Sequence, residues 1–160
     1  MPNAAVVAMD GFHLTQDELV RLGRAERKGA PDTFDVAGYL ALLRLLRRRE
    51  ASTSAPVFDR DVEEPRAGGV TVPDTVSLVV TEGNYLLLDE PGWIEVRPLL
   101  DACWYVELDD EVRRQRLVAR HVRHGRSLED AERWVRTTDD PNARRIAATR
   151  SRADWVVQLS

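Results

Sequence analysis

The chain of 160 residues has a single cysteine, Cys103, in the apolar segment D-A-C-W-Y-V, so no disulfide can form within it. One thiol in such a setting reads as buried and structural, which favours a reducing compartment. No apolar run approaches the roughly 18 residues of a membrane span. No basic stretch followed by an apolar one opens the chain as a signal peptide would. The expected location is cytoplasmic, with no membrane partner. Excess positive charge is also missing: 23 Lys+Arg against 27 Asp+Glu give a net charge of −4, so general nucleic-acid binding is not expected. Lysine itself is nearly absent, with Lys28 the only one. The histidines His13, His121 and His124 lack neighbours at zinc-site spacing, and no G-x-S-x-G nucleophile elbow occurs.

Two short segments stand out against these absences. Residues 4–14 read A-A-V-V-A-M-D-G-F-H-L and residues 77–87 read S-L-V-V-T-E-G-N-Y-L-L. Each is an apolar run ending in one carboxylate, Asp10 or Glu82, followed at once by glycine. Such runs suit strands buried on both faces of a parallel sheet. Ligands of parallel sheets bind just past the carboxyl ends of the strands. Two strands delivering one acidic side chain each to that rim make a seat for Mg²⁺ and a phosphorylated ligand. Asp10 is placed to accept a proton from a substrate hydroxyl or to bind the metal; the alternative is a turn-forming Asp-Gly. Glu82 is harder to explain as a turn residue. Asn84 and Tyr85 follow it and offer hydrogen bonds to a ligand, or Tyr85 packs its ring under the loop.

Strand and helix alternate along the chain, which predicts one α/β domain with a mostly parallel sheet. Strands are expected at 4–9, 55–58, 77–81, 102–108 and 153–159. Thr15 and Glu18 have capping-box spacing for a helix to Leu22. Asp35 caps a helix running to about Glu50. Residues 59–74 read as a polar, Pro/Gly-rich loop, and a short helix is expected near 92–100. A strong helix spans 110–124, acidic at its start and basic at its end, and is stopped by Gly125. Further helices open at Ser127 and at Pro141.

The loop over 23–34 is too long to be a mere connector. Within it Lys28 offers a point charge for phosphate or carboxylate, and Asp32 an acceptor for a hydroxyl. In P-V-F-D-R, residues 56–60, Arg60 either forks onto an anion or pairs with Glu63 or Glu64. Arg113, Arg116 and Arg120 share one helix side, a stripe of one sign that either meets an anion or faces solvent.

Taken in order, V-A-M-D-G-F-H (7–13), R-K-G-A-P-D-T-F-D (27–35), P-V-F-D-R (56–60), V-V-T-E-G-N-Y-L-L (79–87) and the arginines 113, 116 and 120 resemble the phosphoribulokinase/uridine kinase family of P-loop kinases, with a cast close to bacterial-type pantothenate kinase. The resemblance implies a P-loop kinase-like three-layer α/β fold and ATP-dependent phosphoryl transfer to a hydroxyl of a small metabolite. It implies Asp10 as the residue that takes the hydroxyl proton near Mg²⁺, and Glu82 as the acidic residue closing the Walker-B-like strand. His13, Lys28, Asp32, Arg60, Asn84 and Tyr85 fall on segments lining the acceptor pocket. Arg113, Arg116 and Arg120 fall on a lid, about 113–140, that closes on ATP phosphates. His121 stands where relatives often carry Asp.

One element of the family pattern is missing. No G-x-x-x-x-G-K-[ST] occurs, and no Gly-Lys pair occurs anywhere. The chain opens on what resembles the family's second strand, so the first strand and the P-loop are expected to be absent through a misplaced start or a truncation in preference to the third explanation, a natural P-loop-free relative. On that expectation the chain alone turns over poorly, and an exposed sheet edge favours homodimer formation. The alternative is a non-catalytic metabolite- or nucleotide-binding module.

Overall fold

The computed structural model describes residues 3–159, which divide along the chain into two compact units, the first ending at Leu100 and the second beginning at Asp101. In the first unit, β1 (Ala4–Ala8) and β4 (Leu78–Glu82) run parallel, with Val6 opposite Val80 and Ala8 opposite Glu82. Between them in sequence lie α1 (Gln16–Arg21), α2 (Val36–Arg48), β2 (Thr53–Asp59) and β3 (Glu64–Val72).

Local chemistry sets these boundaries. Thr15 Oγ1 accepts from the Glu18 amide while the Glu18 carboxylate accepts from the Thr15 amide, closing the expected capping box on α1. Asp35 caps α2 through the Gly38 amide at 2.9 Å; a Cβ on Gly38 would run into that same carboxylate. Helix α2 buries Tyr39, Leu40, Leu42 and Leu43. The Tyr39 hydroxyl meets Thr81 Oγ1 at 2.6 Å, and Thr81 donates to the Val7 carbonyl at 2.8 Å, so helix and both strands share one polar contact.

Three expectations need correction. The segment 59–74 is mostly strand: β2 and β3 form an antiparallel hairpin whose register shifts between Ala55 and Val57. Its glycines are demanded by the strand itself. Gly68 has φ +67°, and a Cβ on Gly69 would lie 2.7 Å from Val57 Cγ1. Nor are β1 and β4 buried on both faces. The side toward α2 is covered, whereas Val6, Leu78 and Val80 are exposed on the other. The expected helix near 92–100 is two 3-10 turns, Trp93–Glu95 and Arg97–Leu99.

In the second unit β5 (Trp104–Glu107) pairs in parallel with β6 (Trp155–Gln158). Helix α3 (Asp110–Arg123) is capped by Asp109, and Gly125, at φ +94°, follows its end. Helix α4 (Leu128–Trp134), capped by Ser127, passes through one π turn (Val135–Asp139) into α5 (Asp140–Ala147). No helix among the described residues is long and apolar enough to cross a membrane.

Candidate active site

The parallel register brings the carboxyl ends of β1 and β4 to one rim. Beyond Ala8 the chain turns through a 3-10 segment, Met9–Phe12, that carries Asp10. Burial pushes the Glu82 carboxyl above its ordinary value, the negative charge of Asp10 pushes it further, and Arg60 opposes both. The two carboxylates therefore act on each other at the same rim. The glycines after them are there for space. A Cβ on Gly11 would collide with the Pro56 carbonyl of the hairpin. A Cβ on Gly83 would sit 2.5 Å from Met9 Cβ and 2.7 Å from its sulfur.

His13 lies beside this rim, with its ring centroid 4.0 Å from Phe34 and 4.9 Å from Phe58. Its Nδ1 is buried and has no hydrogen-bond partner among the described residues. Burial lowers its pKa below the ordinary value, Asp10 and Glu63 work against that, and Lys28 and Arg60 reinforce it. Lys28 Nζ donates to the Glu63 carbonyl at 2.7 Å and stands 5.5 Å from the Phe58 ring centre. Arg60 pairs with Asp10 at 3.5 Å rather than with Glu63 or Glu64. Asp10, His13, Lys28, Arg60 and Glu82 thus form one electrostatic neighbourhood. Sequence reading missed the flanking Phe34 and Phe58, although both lie inside the motifs quoted above.

Asp32 and Tyr85 are engaged elsewhere. The Asp32 carboxylate pairs with Arg24 at 3.3 Å and Arg27 at 2.7 Å. Tyr85 is buried, and its hydroxyl donates to the Gly29 carbonyl at 2.5 Å. With Trp93 Nε1 donating to the Pro31 carbonyl at 3.1 Å, these contacts fasten the 23–34 loop. Asn84 is exposed just past Gly83.

Among the described residues no group of three or more His, Cys, Asp or Glu side chains could hold a metal. A pair of carboxylates nevertheless fits Mg²⁺, which keeps several waters and takes one or two protein oxygens beside substrate phosphates.

In the second unit the three predicted arginines differ. Arg113 is turned inward: Nη2 meets Asp140 Oδ1 at 2.7 Å and Nε meets Asp110 at 3.2 Å. Arg114 Nε takes the other Asp140 oxygen at 3.0 Å. Burial alone would raise the Asp140 pKa, but hydrogen bonds from Arg113 and Arg114 hold it below its ordinary value. Arg113 is held above its own ordinary value by the same contacts, against burial. Arg116 and Arg120 are exposed on α3. His121 Nε2 lies 2.8 Å from Asp139. Sequence reading missed Arg114 and Asp140, since D-D-P reads as no more than a helix start.

No protein-family model matches the chain. It is 34% identical over 152 residues to the ATP-dependent kinase-like protein notR' of Aspergillus versicolor, covering 89% of this chain and 88% of that protein. It is 32% identical over 137 residues to a Schizosaccharomyces pombe protein named "putative uridine kinase", covering 82% and 58%. The crystal structure of a "putative fructose transport system kinase" from Silicibacter sp. TM1040 superposes with a TM-score of 0.87 at 36% identity, covering 96% of this chain and 74% of that one. Several curated relatives are longer, and the chain spans between 51% and 66% of their length.

Proposed function

We propose a phosphotransferase role from one premise: the chain belongs to the uridine kinase-like P-loop kinases. The proposed reaction is transfer of the ATP γ-phosphoryl group to a hydroxyl of a small metabolite in the cytoplasm. The observation that carries it is the pair Asp10 and Glu82 at one rim, close enough for one charge to raise the pKa of the other.

In this reading Asp10 accepts the hydroxyl proton as the acceptor oxygen attacks phosphorus. Mg²⁺ would be held by Asp10 and Glu82, and when bound it neutralises charge on the transferring group. His13 and Asn84 orient the acceptor. Lys28 and Arg60 add positive charge beside it. Asp32 and Tyr85 act through the loop they fasten, as positioning residues. Arg116 and Arg120 meet nucleotide phosphates, and Arg113 braces their helix against Asp140. Catalysis of this kind is mostly positioning plus electrostatics. Two copies pairing through the exposed edge of the β1/β4 sheet is part of the same proposal.

The test is ADP release from Mg-ATP over a panel of nucleoside, sugar, polyol and hydroxy-acid acceptors. The chain is assayed alone and fused behind a strand–loop–helix segment carrying G-x-x-x-x-G-K-[ST]. Acceptor-dependent turnover should fall by about 10²–10⁴ in Asp10→Asn. Unchanged turnover in that variant removes Asp10 as base. Acceptor binding that ignores Mg²⁺ and ATP, with no turnover in either form, assigns a binding module instead.

A further inference from the structure

Asp10, Glu63, Lys28 and Arg60 all act on His13, and Arg60 acts on Glu82 as well, yet the two cations keep much of their hydrogen-bonding capacity open. Arg60 has one partner among the described residues, Asp10, at the outer limit of a hydrogen bond (3.5 Å), and its side chain is 59% exposed. A guanidinium carries five N–H donors in a planar fork, so most of that fork remains open. Lys28 is hydrogen-bonded to a neutral carbonyl, that of Glu63, and among the described residues no carboxylate pairs with it. Phe58 ties the two sides together, with Lys28 at 5.5 Å and the His13 ring at 4.9 Å from its centre. The His13 imidazole presents a buried Nδ1 with no partner among the described residues. Both cations act on that ring, each making its protonation harder.

Resting on the phosphotransferase reading, this arrangement bears on which acceptor fits. Arg60 holds one oxygen of Asp10, Oδ2, by a single long contact of 3.5 Å, so an acceptor that draws the guanidinium to itself leaves both oxygens of the base open to its hydroxyl. A neutral polyol offers the guanidinium no stronger partner than Asp10. An oxyanion on the acceptor does, because a forked guanidinium–oxyanion pair is stronger than a single contact at 3.5 Å.

We propose that the acceptor is a small anionic hydroxy compound, and that Arg60 selects it by leaving Asp10 for the acceptor's carboxylate or phosphate while Lys28 completes the anion seat. Arg60 is then a specificity residue that leaves both oxygens of the base open when the correct acceptor arrives. The acceptor hydroxyl is left facing Asp10, and His13 Nδ1 gains the hydrogen bond it lacks.

The test uses the whole chain labelled with ¹⁵N and needs no ATP. Glycerol, D-glycerate and glycerol 3-phosphate are titrated with chloride-matched controls, following the His13 ring nitrogens and the Arg60 side-chain signals. At least one anion should perturb both saturably, with an affinity about tenfold or more above that of glycerol. Whether glycerate or glycerol phosphate binds more tightly separates a carboxylate seat from a phosphate seat. Arg60→Met should reduce the preference over glycerol to about threefold or less, and Arg60→Lys should restore part of it. Both lie on the exposed hairpin tip, and an unchanged amide spectrum elsewhere verifies the fold. Equal response to glycerol, chloride-like response to both anions, or full preference in Arg60→Met overturns the proposal. None of these outcomes touches the kinase reading, which fails only in the turnover assay.

Discussion

Gly11 and Gly83 fix where the two carboxylates stand. Each follows its acidic residue because the chain there passes against another segment too closely for a Cβ. Gly11→Ala pushes the Met9–Phe12 turn off the Pro56 carbonyl, so it should cost about 1–3 kcal/mol in urea unfolding, as overpacking does. It should also displace Asp10. Titration adds a second expectation at this scale. Glu82 ionises harder in the folded chain than its ordinary 4.5, so the folded state binds the extra proton between that value and the raised one. The stability this gives is fully present below pH 4.5 and is lost as pH rises through the raised value. Glu82→Gln removes that loss and should raise Tm at pH 7, with the gain vanishing below about pH 4.5. His13 has the opposite sign of dependence. Its folded pKa is lowered from 6.5, so the unfolded chain takes up the proton first, and stability falls as pH drops below 6.5. Thermal melts of wild type and His13→Gln between pH 7.5 and 5 should diverge in that direction.

At the scale of elements, caps were legible and pairings were not. Thr15/Glu18, Asp35, Asp109 and Ser127 announce helix starts because a cap is a contact within four residues. The strand β3 was hidden because its glycines and proline imitate loop composition. Gly69 is present because Val57 of the partner strand leaves no room for a Cβ, and Gly68 because its φ is +67°, facts set by the folded hairpin and not by local composition. Arg113 shows the same limit. Its spacing with Arg116 and Arg120 is visible, but Asp140, which turns it inward, lies 27 residues on. Asp140→Ala leaves the partly covered Arg113 and the more exposed Arg114 without their shared carboxylate and should cost about 1.5–3 kcal/mol by urea unfolding. Arg120→Ala, on the exposed side of the same helix, should change stability by no more than about 0.5 kcal/mol. The Asp140 contribution is present above its ordinary 3.8 and is lost as pH falls through the depressed value.

At the scale of the molecule, the candidate site was legible to the extent that strand order carries it. Two apolar runs ending in a carboxylate and glycine suffice to predict one rim, and the parallel register of β1 and β4 delivers it. What the runs cannot state is which cation attends which anion, because Arg60, Lys28 and His13 converge only after the hairpin folds back. If Asp10 and Glu82 hold Mg²⁺ as proposed, the rim makes the whole chain's stability responsive to that cation. A ligand bound only by the folded state stabilises by RT ln(1 + [L]/Kd), about 1.4 kcal/mol at tenfold excess over Kd. Mg²⁺ should therefore raise Tm beyond a chloride-matched sodium control, and Asp10→Asn and Glu82→Gln should each abolish most of the difference. Amide exchange should slow first in β1, β4 and the Met9–Phe12 turn, where the two carboxylates are anchored. A Tm rise that survives in both variants would place the cation elsewhere and leave the repulsion between Asp10 and Glu82 without its counter-ion, so the carboxylate pair would no longer support phosphoryl transfer.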